Sequence, residues 1–336
     1  MLRSLESNLG IAAENNASSL SSEQLAEVGR FKKREYDVVL GMLERRMDGP
    51  ATPTSKVRRT IEEILREGAA GPKPIHTALI RLADRRAALT IVTTNFDLLL
   101  EAAARKHGKK TVKTYALGGI PRPGRSDSFE GVLHIHGALS ARNAYEASNL
   151  IVTDQDFGES YLRRRVVPDF IYDAARLFHL VLVGYSANDP PMRYLLNAVA
   201  ADGSRFDDLK ERFAFVGMSS PPDPVSIADW KGRGITPIPY LDADNHAALT
   251  GTLKRWSELS AVNGKRERVD AELKRITRGP RSAAAQIDQD LFDHLIRRSA
   301  STERVRISAF LSNAGSPIDW LDALLVICRD PRREVL

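Results

Sequence analysis

The sequence predicts an α/β fold: a parallel sheet with helices on both faces, followed by a C-terminal helical extension. Three observations carry that reading. Short apolar runs alternate with amphipathic stretches between residues 88 and 260, the pattern of β–α–β units. Several runs end in small and polar residues, as in Val92-Thr93-Thr94-Asn95-Phe96-Asp97, and in open parallel sheets ligands lie in the crevice beyond the carboxyl ends of the strands. After Gly264 the strand pattern stops and a charged, helical pattern takes over.

Residues 1–20 are polar and rich in Ser and Asn. Ser21-Ser22-Glu23-Gln24 reads as a capping box that opens a helix. Leu25, Val28, Phe31, Val39, Leu43 and Met47 then recur at largely helical spacing until Gly49-Pro50 stops the run. Thr54 caps a second helix through Val57, Ile61 and Leu65, ending near Gly68, and Pro74 starts a third with Leu79, Leu82 and Ala83 inward. The first strand, 88–94, is followed by a helix over 97–107 that ends at Gly108. A Gly/Pro-rich loop from Leu117 to Arg125 leads to a strand over 131–136 and a short apolar run, Leu150-Ile151-Val152. An amphipathic helix over 155–178 is expected to break at Pro168. Strand 179–184, helix 190–200, strands 213–217 and 235–240, and a helix over 244–260 with Leu249, Leu253 and Trp256 complete the series. The expected division is a domain over 1–262 and a helical extension over 263–336, with breaks at Gly279-Pro280 and Gly315-Ser316-Pro317. The closing Arg332-Arg333-Glu334-Val335-Leu336 has no clear final cap, so continuation into a longer parent protein is expected.

Composition excludes several classes. The 336 residues hold one large domain plus an extension, or two domains. A 43% hydrophobic and 27% charged content is that of an ordinary soluble globular protein. No apolar run approaches the roughly 20 residues that span a bilayer, and Met1 to Asn16 shows no basic start followed by an apolar core. A cytoplasmic protein without a membrane partner is therefore expected. The single cysteine, Cys328, excludes an internal disulfide and a four-cysteine zinc site. The net charge of +6 and the clusters Lys32-Lys33-Arg34, Arg163-Arg164-Arg165 and Arg297-Arg298 admit a nucleic-acid footprint. Solvated helix faces are the favoured reading, because the clusters are scattered and no aromatics interleave with them.

Three polar strand ends point to one site. In the first, Asn95 and Asp97 share one side of an extended backbone and Phe96 takes the other. An amide and a carboxylate there can bind a ribose hydroxyl, an ordered water and a carboxamide. A helix cap at Asp97 or Asn95 is the competing reading, and the doubled Thr93-Thr94 before Asn95 favours a site. In the second, Leu133-His134-Ile135-His136-Gly137, both histidines lie on one face and Gly137 permits close approach. His136, at the mouth, is the candidate general base, since histidine titrates near working pH. His134, deeper in the strand, reads as a buried, hydrogen-bonded histidine. In the third, Gly184-Tyr185-Ser186 offers backbone amides and a hydroxyl to a phosphate or ribose, close to the start of the helix after Asp189-Pro190-Pro191. Asp189 before Pro190 reads equally as an N-cap with proline at the first helical position, and His246 reads as a possible cap of helix 244–260.

Taken together, Thr93-Thr94-Asn95-Phe96-Asp97, His134-Ile135-His136-Gly137 and Gly184-Tyr185-Ser186-Ala187-Asn188-Asp189 resemble the sirtuin-like domains of bacterial defence proteins. Pro74-Ile75-His76, and Ile235 to Tyr240 with His246, resemble the same family, and the resemblance covers roughly residues 20–260. It implies a Rossmann-like fold that binds NAD. Asn95 would position water and the nicotinamide ribose, and Asp97, with Thr94 beside it, would face the nicotinamide carboxamide. His136 would be the general base, and Gly184, Ser186 and Asp189 would lie at the phosphate-ribose portion. The four-cysteine zinc module of protein-deacylating sirtuins is absent, as in the defence-type relatives, so the resemblance implies NAD cleavage without zinc. The family's first strand and Gly-Ala-Gly-x-Ser phosphate loop, which lie mid-sheet, have no counterpart before Asn95; Leu9-Gly10-Ile11-Ala12-Ala13 has one glycine and no preceding strand. Either the chain starts late relative to a complete relative, or phosphate binding is rebuilt or lost.

The leading expectation is hydrolysis of NAD to nicotinamide and ADP-ribose as an antiphage-defence effector, with a homo-oligomer or a defence-system protein as partner. The alternative is a non-catalytic nucleotide- or partner-binding module, motivated by the missing glycine loop. A nucleic-acid-associated role ranks third, and deacylation last.

Overall fold

The computed structural model describes residues 20–49, 55–67, 71–84, 89–108, 112–116, 130–139, 150–185, 190–202, 209–220, 222–260 and 263–329. Residues 1–20 apart from Leu20, Thr54 and the loop from Leu117 to Arg125, each given a role above, lie outside this set. The chain divides into two compact units, Met1–Ile80 with Ala88–Leu249, and Arg81–Ala87 with Thr250–Leu336.

The first unit opens with helices α1 (Ser22–Lys32), α2 (Tyr36–Asp48), α3 (Lys56–Glu67) and α4 (Pro74–Ala83), whose last residues belong to the second unit. The capping box at α1 forms: Ser21 Oγ accepts from the Gln24 amide and Gln24 Oε1 accepts from the Ser21 amide. The single helix expected from Leu25 to Met47 is instead α1 and α2. The break comes at Arg34, which is left-handed with φ of 61°, a conformation that cannot propagate an L-residue helix. Ser55 Oγ accepts from the Arg58 amide at 3.1 Å and so caps α3.

Six short strands follow: β1 (Thr90–Thr93), β2 (Thr114–Tyr115), β3 (Gly131–His134), β4 (Leu180–Leu182), β5 (Arg212–Met218) and β6 (Thr236–Leu241). All pair in parallel, in two three-stranded sheets of order β1-β3-β2 and β4-β5-β6. The fold is thus a Rossmann-like α/β architecture, with its strands divided between two sheets. Between the strands run α5 (Leu99–Lys106), α6 (Asp154–Phe157), a π-helical segment (Gly158–Arg163), α7 (Val166–Leu177), α8 (Pro190–Asp202) and α9 (Pro224–Gly232); α10 (Ala243–Leu259) follows β6 and crosses from the first unit into the second.

Every residue of β3 is buried, as expected for a central parallel strand. Gly131 at its start is required: a Cβ there would strike the Lys113 carbonyl on the neighbouring segment. The helix expected over 155–178 breaks at Arg164–Arg165, before Pro168. Arg165 is left-handed, with φ of 55°, and Pro168 occupies the first turn of α7, where its missing N–H leaves no helical bond unmade.

Two apolar clusters organise this unit. One joins Leu133 and Ile135 with Val167, Phe170, Leu195, Val199, Ala214, Val216 and Trp230, so both sheets and helices α7, α8 and α9 contribute to a single core. The other packs Val39, Leu40, Leu43, Val57 and Ile61 of α2 and α3 against Leu139, Leu150 and Val152. Arg58, Glu44 and Asp156 link its elements: Arg58 Nε donates to Glu44 Oε1 at 2.8 Å, Nη2 to Asp156 at 2.8 Å and Nη1 to the Leu150 carbonyl at 2.9 Å.

The described part of the second unit is helical. The remainder of α10, α11 (Arg266–Ile276), a short 3-10 turn (Arg281–Ala283), α12 (Gln286–Arg298), α13 (Ser301–Asn313) and α14 (Ile318–Arg329) follow one another. Their core holds Leu273, Phe292, Ile296, Ile307, Leu311 and Trp320. Among the described residues no helix is long and apolar enough to cross a membrane.

Candidate active site

The mouth of the first sheet is built by register. Thr93 of β1 pairs with His134 of β3, and the Ile135 amide donates to the Thr93 carbonyl at 3.0 Å as the last rung. Both strands therefore end level, and the next residues of each, Thr94-Asn95 and Ile135-His136, open side by side. On the β3 side the ladder stops at His134, two residues earlier than expected. The Gly137 amide turns back to the His134 carbonyl at 3.1 Å, and Gly137 has φ of 95°, which favours glycine.

On the β1 side the backbone leaves the extended form at once. The Asn95 amide donates to Thr93 Oγ1 at 3.1 Å, a local turn of the kind threonine supports. Asn95 is exposed while Thr93 and Thr94 are half-buried. Phe96 packs against the α2–α3 cluster, and its carbonyl accepts from the Leu139 amide at 2.8 Å. The aromatic anchor and the cross-strand bond hold the loop from behind and leave Asn95 at the surface of the mouth.

Asp97 partly takes the capping role: its Oδ1 accepts from the Leu99 amide at 3.1 Å, at the start of α5. Its charge also reaches two histidines, raising the affinity of His76 and of His134 for a proton. His76, whose Nδ1 accepts from the Lys73 amide at 2.9 Å, is pushed toward the neutral form by burial, which outweighs Asp97. The sequence placed His76 within the resemblance without giving it a role; only the fold brings it to Asp97.

The two histidines of His-Ile-His part company. His134 is fully buried, with Nδ1 2.7 Å from the Asn95 carbonyl and Nε2 2.9 Å from Glu101 Oε1. His136 is 7% exposed, and its Nε2 lies 2.7 Å from the Tyr161 hydroxyl. Phe157 meets the His136 ring edge-on at 5.6 Å, and the His136 carbonyl accepts from the Ile151 amide at 2.8 Å. Tyr161 belongs to the π-helical segment Gly158–Arg163, a widened turn of the type frequent at functional sites. Tyr161 was not foreseen, because helical periodicity gives no sign of a π turn.

At the end of β4, Gly184 is exposed with φ of 65°, so the backbone there needs glycine. Ser186 and Asp189 lie outside the described residues. His246, expected as a cap, bonds Tyr240 instead: its Nδ1 is 3.0 Å from the Tyr240 hydroxyl, in a left-handed turn formed by Asp244, Asn245 and His246. Among the described residues no three His, Cys, Asp or Glu side chains converge as a metal site would require.

The basic clusters are exposed. Arg163 and Arg164 both bond Glu159, at 2.8 and 2.5 Å, which makes them a solvated, locally paired face.

Comparison with known proteins adds two findings. An uncharacterized protein, y4cA, of Sinorhizobium fredii (strain NBRC 101917 / NGR234) is 30% identical over 324 residues, covering 90% of this chain and 25% of that relative. The chain thus spans about a quarter of the relative's length. The family described as SIR2-like domain matches residues 89–238, a span that contains the ends of β1 and β3, the π-helical segment, the first sheet and the second sheet as far as the first half of β6. Domains of this family are NAD-binding modules. Residues 89–238 of this chain are a SIR2-like domain.

Proposed function

We propose that this chain hydrolyses NAD at the nicotinamide–ribose bond, releasing nicotinamide and ADP-ribose, as the effector of an antiphage defence. One observation carries the reading: Asn95 and His136 stand two residues beyond the same paired rung, Thr93 with His134, one exposed and one buried. An exposed carboxamide can hold a ribose hydroxyl and a water through its donor and acceptor. A shielded imidazole beside it can take a proton from that water.

The residues fit the nicotinamide-ribose half of NAD. Asn95 and Thr94 would hold the ribose and orient the attacking water. Asp97 keeps one oxygen for the α5 amide and would offer the other to the carboxamide. Gly184, with Ser186 and Asp189, would lie toward the phosphates. As the bond to nicotinamide breaks, positive charge builds on the ribose; water adds at that carbon and its proton passes to His136. Tyr161, bonded to Nε2, fixes the ring and completes the proton path. In this reading the domain runs over 1–262, with 263–336 as a helical assembly or regulatory surface, and the working form is a homo-oligomer or a complex with a defence-system protein.

The test is nicotinamide release by the purified chain. Wild-type turnover with a loss of about 100-fold or more in Asn95→Ala and in His136→Ala supports the reading. No release by wild type, or equal release by the variants, overturns it.

A second reading, a non-catalytic nucleotide-binding module, is favoured by the commitment of His136 Nε2 to Tyr161. It predicts calorimetric binding of NAD or ADP-ribose without turnover.

A further inference from the structure

The pair behind the mouth has a role of its own. His134 and Glu101 are 0% and 2% exposed. Each ring nitrogen of His134 faces an oxygen acceptor: Nδ1 the Asn95 carbonyl at 2.7 Å, Nε2 the Glu101 carboxylate at 2.9 Å. A carbonyl and an ionised carboxylate donate nothing, so both contacts are hydrogen bonds only when both ring nitrogens carry protons. Glu101 has little other compensation. Oε1 also accepts from Thr114 Oγ1 at 3.0 Å, and Oε2 is buried with no hydrogen-bond partner among the described residues. A lone carboxylate so placed would be strongly penalised.

We infer that His134 is a positioning residue for the reaction: a buried imidazolium, neutralised by Glu101, that grips the Asn95 backbone carbonyl and so sets where the Asn95 side chain stands in the mouth. The inference rests on the reading of Asn95 under the proposed function. The chain of contacts runs from α5 through β3 to the end of β1, three elements locked by one proton. Burial alone would drive that proton off; the Glu101 hydrogen bond and charge, the Asn95 carbonyl and the Asp97 charge outweigh it and raise the His134 pKa. The groups facing His134 are Glu101 of α5 and Asp97 of the preceding loop, with His76 of α4 reached only through Asp97. The grip is therefore complete below the ordinary histidine value and slackens as pH rises through the raised His134 value.

The experiment uses the full chain and compares wild type with Glu101→Gln, His134→Asn and the double variant His134→Leu/Glu101→Met. Wild type should show an alkaline fall in kcat. In Glu101→Gln the replacing amide can donate to a neutral ring, so the hold on Asn95 survives without the extra proton and the alkaline fall disappears. His134→Asn should lower kcat about tenfold or more with KM changed by less than about twofold, since a small misplacement of a reacting group costs rate more than binding. The double variant removes both buried charges together, keeps the fold, and should show the same loss of kcat. Wild-type kcat in the double variant, or an alkaline fall unchanged in Glu101→Gln, overturns the inference. Nitrogen-detected NMR of the imidazoles separates this outcome from failure of the hydrolase reading. If wild type releases no nicotinamide, a His134 ring protonated on both nitrogens where exposed histidines are neutral still supports the clamp, and a neutral ring overturns it.

Discussion

Among the described residues the most deeply buried ion pairs lie in the α/β unit and join separate elements, whereas the pairs of the helical unit are more open to solvent. Arg58 and Glu44 are each 3% exposed and His134 and Glu101 are 0% and 2%. Arg275, which bonds Glu272 and Asp288, is 46% exposed, and Arg306, which bonds Asp270 and Glu303, is 27% exposed. The helical unit derives its hold from apolar packing instead. Phe292 and Trp320 are fully buried with rings 4.7 Å apart, and Arg281 lies over both. The buried pairs of the α/β unit stand where segments of the mouth must be fixed. Arg58 holds the Leu150 carbonyl and Asp156, on the stretch that bonds His136 through Ile151 and leads to Phe157 and Tyr161. Short strands and loops supply little packing of their own, so directional bonds define their geometry.

That contrast is open to direct attack. Arg58→Ala should have the largest effect, about 3–5 kcal/mol of destabilisation, because it leaves Glu44 and Asp156 without their cation. Urea unfolding followed by circular dichroism measures it, and a loss below about 1 kcal/mol would show that the buried pair behaves like a surface one. Phe292→Ala should cost about 3–5 kcal/mol through the cavity it leaves, and the loss should appear in Trp320 fluorescence with the α/β unit still folded.

Next in size is a pH effect confined to the α/β unit. The folded-state pKa of His134 is raised, so the stabilisation it confers is fully present below the ordinary histidine value and is lost as pH rises through the folded value. Denaturation profiles across neutral to alkaline pH should show that loss in wild type and not in His134→Leu/Glu101→Met. Smallest is Arg275→Gln in the helical unit, about 1 kcal/mol or less at low salt. The difference from wild type should shrink further as salt is added; a salt-independent loss would mean that Arg275 acts through packing.

Much of this molecule can be read without coordinates. Five of the six strands fall on the expected apolar runs, β2 (Thr114–Tyr115) being the one without such a run, and the polar mouths at Asn95 and His136 are visible as short motifs. The misplacements have local causes. Arg34 and Arg165 adopt left-handed conformations that no residue type announces, so two expected helices are divided. Pro168 attracts a predicted break, yet it sits in a first turn where proline is tolerated. Asp97 could be read equally as cap or site, and the structure gives one of its oxygens to the Leu99 amide while leaving its charge near His76 and His134. Tyr161, Glu101 and Arg58 give no signal in sequence, since each acts on a partner more than 10 positions away.

The sequence by itself determined the alternation of strands and helices, the change to a helical tail, the restriction to one cysteine and the polar residues offered at each strand end. Those follow from local pattern, because periodicity and turn chemistry act over a few neighbouring residues. Only the tertiary structure decided that Thr93 and His134 end level, that the two histidines of one motif face different partners, and that Glu101 supplies the counter-charge for one of them. Register and burial decide those contacts, and a side chain's proton affinity depends on what the fold places within about 3 Å of it.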